Sequence, residues 1–434
     1  MLKKLSVSAV ALASLASLSA AAVNFDNPKA NNLSEEIKNI ELSAPASSAE
    51  EADKKVSRVK EWTIMVYING KNNLERFALK DMNEMEMVGS SDKVNVVVEI
   101  GRMAGFDSSN GDWNGTRRYL ITKDTDTARV SSRVVQDLGK TDMGDYNNVA
   151  AFGKWAKAKY PAKKTMLVIW NHGAGWLKSA GFISGAKGIS YDDESKNHIT
   201  TPQMGALLKE MGGVDLYGSD ACLMQMAEVV YEIKDYVPYI VGSEETEPGD
   251  GYTYNDLLAP LRAKPAMDAE AFGKVAVDVY AKHYASLKQG STQSLIKSSA
   301  IPGFLSAAND FAYAITKAGE KELAKTAMNG AQAYAYSENK DLHHFAKLVT
   351  AGTKDAEVKA KGEALMKYIT TSLVLRNKTT NGAGGGWFSP PADYSNSSGI
   401  AVYLPGVAAP AAYNELQWAV YSNWDELINW IAQP

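Results

Sequence analysis

The chain reads as an α/β protein: a mainly parallel sheet flanked by helices, followed by a second, mainly helical C-terminal domain. Short continuous Val/Ile/Leu runs at residues 63–68, 94–100, 165–170, 214–217 and 239–242 are separated by segments of helical period. Strands apolar on both faces belong to parallel sheets covered by helices. From about residue 255 the apolar residues instead recur at helical spacing, amid Ala and Lys. At 434 residues, 45% hydrophobic and 22% charged, the chain can bury two cores of unequal size.

Lys3 and Lys4 precede an apolar run from Leu5 to Leu18 and then Ala20, Ala21 and Ala22. This is the pattern of a cleavable secretory signal peptide over residues 1–22, too short to serve as a stable spanning helix. No cysteine lies just after it and no later stretch reaches the roughly 20 apolar residues a span requires, so no membrane anchor is expected. The mature protein is expected to be secreted or periplasmic. Residues 23–60, polar and poor in apolar side chains, read as a pro-segment or linker ending in the basic cluster Lys54, Lys55, Arg58 and Lys60.

Residues 61–258 hold the sheet. A turn at residues 69–73 leads to a helix over 74–88, with Phe77, Met82, Met85 and Val88 inward. Residues 117–122 alternate like an edge strand, and 147–159 form a helix burying Val149, Phe152, Trp155 and Ala156. Residues 259–434 form the second domain, with helices at 269–287, 303–334, 341–351 and 356–374, a late strand at 399–404 and a Trp-rich terminal helix. The net charge of −4, without a basic excess, points away from nucleic acid.

Cys222 is the only cysteine. In an exported chain an unpaired thiol implies either an intermolecular bond or retained reactivity. It follows a β-type run (Val214, Leu216, Tyr217) and precedes Leu223, Met226, Val229, Val230 and Ile233 at helical spacing. That places it at the carboxyl edge of the sheet, where a following helix would favour a thiolate; the alternative is a small buried hydrophobe. Of five histidines, His172 also ends a core strand, and Gly173 after it offers close backbone approach and an amide for an oxyanion. A strand-capping histidine would look the same. The interval from His172 to Cys222 is fifty residues, the caspase arrangement.

Residues 62–70 (WTIMVYING), 171–176 (NHGAGW), Asp220-Ala221-Cys222, Pro248-Gly249-Asp250-Gly251-Tyr252 and 398–405 (SGIAVYLP) together resemble the clostripain family of cysteine peptidases, relatives of gingipains, legumains and caspases. The resemblance implies a caspase-like fold and a Cys-His dyad, with Cys222 as nucleophile and His172 as acid/base. It also implies cleavage after Arg or Lys, hence protein or peptide substrates. A pocket for a basic side chain needs a carboxylate. Asp220 fits that role two residues before the nucleophile. Asp250 matches a second acidic position of the family, although in Gly-Asp-Gly it also suits a turn. Glu244, Glu245 and Glu247 would add general attraction.

By the same resemblance the protein is expected as a self-processing zymogen. Lys187 is the expected internal cleavage site, with Lys178 and Lys196 as rivals. No cofactor is required for the chemistry; calcium is an option the resemblance adds, for which the run Asp192-Asp193-Glu194 lacks the ligand spacing of a dedicated loop. The competing reading is a non-catalytic caspase-like module that binds basic peptides or a partner protein.

Overall fold

The computed structural model describes residues 59–176, 188–383 and 392–434. In chain order the first half comprises β1 (Lys60–Gly70), α1 (Glu75–Val88), β2 (Val94–Arg102), β3 (Gly115–Leu120), β4 (Val134–Gly139), α2 (Tyr146–Lys159), β5 (Ala162–Trp170), β6 (Ile189–Asp192), β7 (Asn197–Ile199), α3 (Thr201–Glu210), β8 (Leu216–Asp220), α4 (Ala227–Ile233) and β9 (Tyr239–Gly242). There follow α5 (Tyr254–Ala263), α6 (Ala269–Leu287), β10 (Ser291–Lys297), α7 (Ile301–Ala318), α8 (Lys321–Gly330), β11 (Asn339–Asp341), α9 (Leu342–Gly352), α10 (Ala356–Tyr368), β12 (Val374–Thr380), β13 (Ala401–Tyr403), α11 (Gln417–Tyr421) and α12 (Trp424–Ala432).

Nine strands form one sheet in the order β12-β10-β9-β8-β5-β1-β2-β3-β4. The five central strands, β9, β8, β5, β1 and β2, pair in parallel, and two antiparallel strands extend the sheet on each side. β1 is buried from Trp62 to Gly70, and its alternation divides two cores. Met65 and Tyr67 face a cluster with Val149 and Phe152 of α2, Leu207 of α3 and Val230 of α4. Trp62, Ile64, Val66 and Ile68 face the other, with Ala78 and Met82 of α1, Leu257 of α5 and Phe272 of α6.

Both clusters run across the expected boundary at residue 258, which falls inside α5. β10 and β12, from the region expected to be mainly helical, extend the sheet. The 399–404 strand is β13, which pairs with β11 outside the large sheet. The strand expected at an edge, β3, is covered by β4. The helix expected over 303–334 is two helices, α7 and α8, because Gly319 turns the backbone to a φ of 71°.

Candidate active site

The carboxyl ends of β1, β5 and β8 meet at one place, held together by asparagines. Asn171 donates through Nδ2 to the carbonyl of Asn69 (2.6 Å) and accepts from the amide of Tyr191 (2.6 Å). Asn69 Nδ2 reaches Ser190 Oγ, and Asn72 Nδ2 donates to the Tyr191 carbonyl. Residues 69–73, expected as a turn only, thus tie β1 to the segment that follows β5.

His172 and Cys222 line a single narrow cleft with Leu74, Trp170, Asp220, Glu247 and Gly251. They sit there because β5 and β8 are paired in register, Trp170 opposite Asp220. Gly173 is packed onto the backbone of Cys222: a Cβ on it would lie 2.3 Å from the Cys222 carbonyl oxygen and 3.0 Å from its nitrogen. Gly173 also bridges Ile189, but the flanking hydrogen bonds are made by the amides of Ala174 and Ser190 rather than its own. His172 Nε2–H donates to Asn73 Oδ1 at 2.7 Å, so a residue from the first turn fixes the imidazole. The sequence marks Asn73 only as part of an Asn-rich turn that ends a core strand.

One expectation about Cys222 is corrected. No helix follows it directly: α4 begins only at Ala227, and the intervening chain turns through Leu223 at a φ of 64°. Leu223 and Gln225 donate to the carbonyls of Glu245 and Ser243, so this segment pairs with the loop after β9 instead of winding into a helix. The Glu247 N–H, 3.1 Å from Sγ, donates to the sulfur from that loop.

Asp220 lines the cleft as a buried side chain, 4% exposed. Its Oδ1 accepts from the Tyr252 amide (3.0 Å) and its Oδ2 from the Tyr254 hydroxyl (2.8 Å). Burial pushes its pKa up to about 7, against the lowering effect of hydrogen bonds from Tyr254, Glu247 and Tyr252. Gly251, at a φ of 54°, covers it so closely that a Cβ would stand 2.6 Å from Oδ1. Asp250 is flanked by the cleft-lining Gly249 and Gly251, and its carboxylate already holds the ammonium of Lys80 at 2.8 Å.

The general attraction expected from Glu244 and Glu245 is also corrected, because both are buried. Glu244 accepts from the Gly399 amide, and Glu245 from the Ala335 amide and the Tyr394 hydroxyl. They fasten the loop after β9 to the later part of the chain. In the acidic run, Asp192 is buried and accepts from the amides of Met143, Glu194 and Ser195, while Glu194 holds Lys71 and Lys140. Such neutralised carboxylates do not fit a calcium ion, and among the described residues no group of three or more His, Cys, Asp or Glu side chains could hold a metal. Lys187 and Lys178 lie outside the described residues; Lys196 is in the β6–β7 turn, 4.0 Å from Asp193.

The family model of the clostripain family, peptidase C11, matches residues 66–430. The chain belongs to the clostripain family. The match takes in β1 through α12 and so both halves of the sheet. Clostripain from Hathewaya histolytica is 26% identical over 230 residues, 46% of this chain; the match spans 42% of that relative's length. Among solved structures, a secreted C11 cysteine protease from Bacteroides thetaiotaomicron bound to an irreversible peptide inhibitor is 23% identical with a TM-score of 0.63, covering 84% of this chain and all of that one. An inactive zymogen C11 protease from Parabacteroides distasonis is 17% identical with a TM-score of 0.60, covering 84% of this chain and 99% of that one. The mixed, centrally parallel sheet is therefore the clostripain-family, caspase-like fold.

Proposed function

We propose that this clostripain-family chain is an exported, self-processing cysteine endopeptidase that cleaves after Arg or Lys. The observation that carries the reading is that His172 and Cys222, each two residues past the end of one of two adjacent parallel strands, line one narrow cleft together with the buried carboxyl of Asp220.

With Nε2 anchored on Asn73, His172 takes the Cys222 proton through Nδ1. The sulfur adds to the substrate carbonyl carbon, and the oxyanion accepts from the Gly173 amide. Collapse of the tetrahedral adduct breaks the C–N bond, and His172 returns the proton to the departing amine. His172 then takes a proton from water as it attacks the thioester, which releases the acid and restores the thiol. Asp220 and Asp250 receive the basic side chain preceding the cut. Asp220 must ionise to pair with it, because its buried carboxyl holds a proton up to about pH 7. Processing after Lys187 would open the connection between the two catalytic residues, and the apolar segment 5–18 would direct export.

Fluorogenic peptides ending in Arg, Lys, Asn and Asp, incubated with the protein and with Cys222→Ala, test the reading. Release from the first two alone, abolished by C222A, is expected; absence of Cys222-dependent release from either would end it. Mass spectrometry of the same samples reads processing, and an unchanged fragment pattern in Lys187→Ala would remove Lys187 as the site.

A further inference from the structure

On α1, Lys80 points its ammonium across to the cleft loop, 2.8 Å from Asp250 Oδ1, while Glu84 Oε1, one turn on, stands 3.4 Å away. Glu84 is itself fixed, its other oxygen accepting from the Tyr254 amide at 3.0 Å, and Tyr254 donates its hydroxyl to Asp220. Asp250, Lys80, Glu84, Tyr254 and Asp220 thus form one continuous chain of polar contacts. Burial alone would lower the Lys80 pKa, but Glu84, Asp250 and Asp81 more than reverse this. Lys80 is therefore a permanent cation in the neighbourhood where the proposed substrate cation must go. It is not locked there, since its side chain and that of Asp250 are both part-exposed, at 40% and 31%.

Resting on the function proposed above, we infer that Lys80 is a specificity-determining residue: it occupies Asp250 as an internal counter-cation, and a basic substrate side chain must move it onto Glu84 to enter. Two cations cannot share one partly exposed carboxylate without mutual repulsion, and the charges here lie close enough for that repulsion to be felt at moderate salt. Glu84 offers the displaced ammonium a second acceptor at the favourable i,i+4 spacing on the same helix. The arrangement weakens binding of every basic side chain at Asp250 and leaves recognition resting on Asp220. Asp81, His283 and Tyr284 are also titratable groups that feel this point; burial lowers the His283 pKa, so that ring adds no competing positive charge near neutrality.

Lys80→Met keeps the aliphatic stem and removes the charge. In the full chain, KM for an Arg-ended peptide is expected to fall about tenfold, with kcat moving much less. Lys80→Met combined with Asp250→Asn should show no gain over Asp250→Asn alone. Glu84→Gln, which removes the alternative acceptor's charge but keeps its hydrogen bond to Tyr254, should raise KM, and serves also if Lys80→Met folds poorly. If the unaltered protein cleaves basic peptides while KM is unmoved or raised in Lys80→Met, or unmoved in Glu84→Gln, the inference about Lys80 is overturned alone. If the unaltered protein cleaves none, the function proposed for the site is overturned with it.

Discussion

Asp220→Asn should uncouple recognition of a basic side chain from pH. Burial holds the Asp220 carboxyl at about 7 instead of 3.8, a displacement of roughly 3 pH units, or about 4 kcal/mol against the charged form. Because the pKa is raised, the charge is absent below it: about a tenth of molecules carry it at pH 6 and about nine tenths at pH 8. The assay is kcat/KM for two matched peptides, one ending in Arg and one in neutral citrulline, from about pH 5.5 to 8.5. Their ratio cancels the titration of Cys222 and His172 and isolates the pocket. The ratio should climb about tenfold between pH 6 and 8 in the unaltered protein and stay flat in Asp220→Asn. The same raised pKa means that the folded state keeps a proton the unfolded chain has lost. Stability should therefore fall as pH rises from about 4 to 7, and Asp220→Asn should lose that part of the fall. A flat ratio in the unaltered protein, or an equal climb in Asp220→Asn, would refute the assignment of Asp220 as the pocket's charge.

Asn73→Ala should lower kcat by about 10- to 100-fold with little change in KM, since it frees the imidazole without touching the pocket; equal losses for Asn73→Asp, which retains an acceptor, would argue against an orienting role. Gly173→Ala should abolish turnover and lower Tm, because its Cβ would press on the Cys222 backbone; steady-state rates and a melting curve decide this. Glu228, buried with its pKa pushed up to about 7, accepts from the Tyr403 amide and the Tyr413 hydroxyl. Glu228→Gln should keep those contacts and, in melts from about pH 4.5 to 8, lose part of the stability decline with rising pH.

Much of the central sheet was legible because β1, β2 and β5 are apolar on both faces, a pattern that hydrophobicity alone reveals. β10 was not: Ser291, Thr292, Gln293 and Ser294 are buried by hydrogen bonding, as in Thr292 to Ser243 and Ser294 to Gln225. β4 escaped for the opposite reason, being a largely exposed outermost strand with little periodic signal. In the candidate site, Asp220, His172 and Cys222 stand out in the sequence because they lie at or just past the ends of readable strands. Asn73 and Lys80 were not, since their roles arise when α1 and its preceding turn meet loops 99 and 170 residues away. The helix wrongly expected at Cys222 shows the same limit from the other side. Leu223, Met226 and Val230 do carry helical spacing, yet long-range pairing of Leu223 and Gln225 with the 243–245 loop prevails locally.

That loop's attachment to the end of the chain has a temporal consequence. Glu247 presents its amide to the thiol from a segment held by Ala335, Tyr394 and Gly399, and β9 needs β10, which in turn carries β12. A ribosome that has completed Cys222 and His172 has therefore not yet made the residues that hold this loop. The loop beside the Cys222 thiol is fully tied down only when residues near 400 arrive, so the order of synthesis makes this corner of the fold one of the last to be completed.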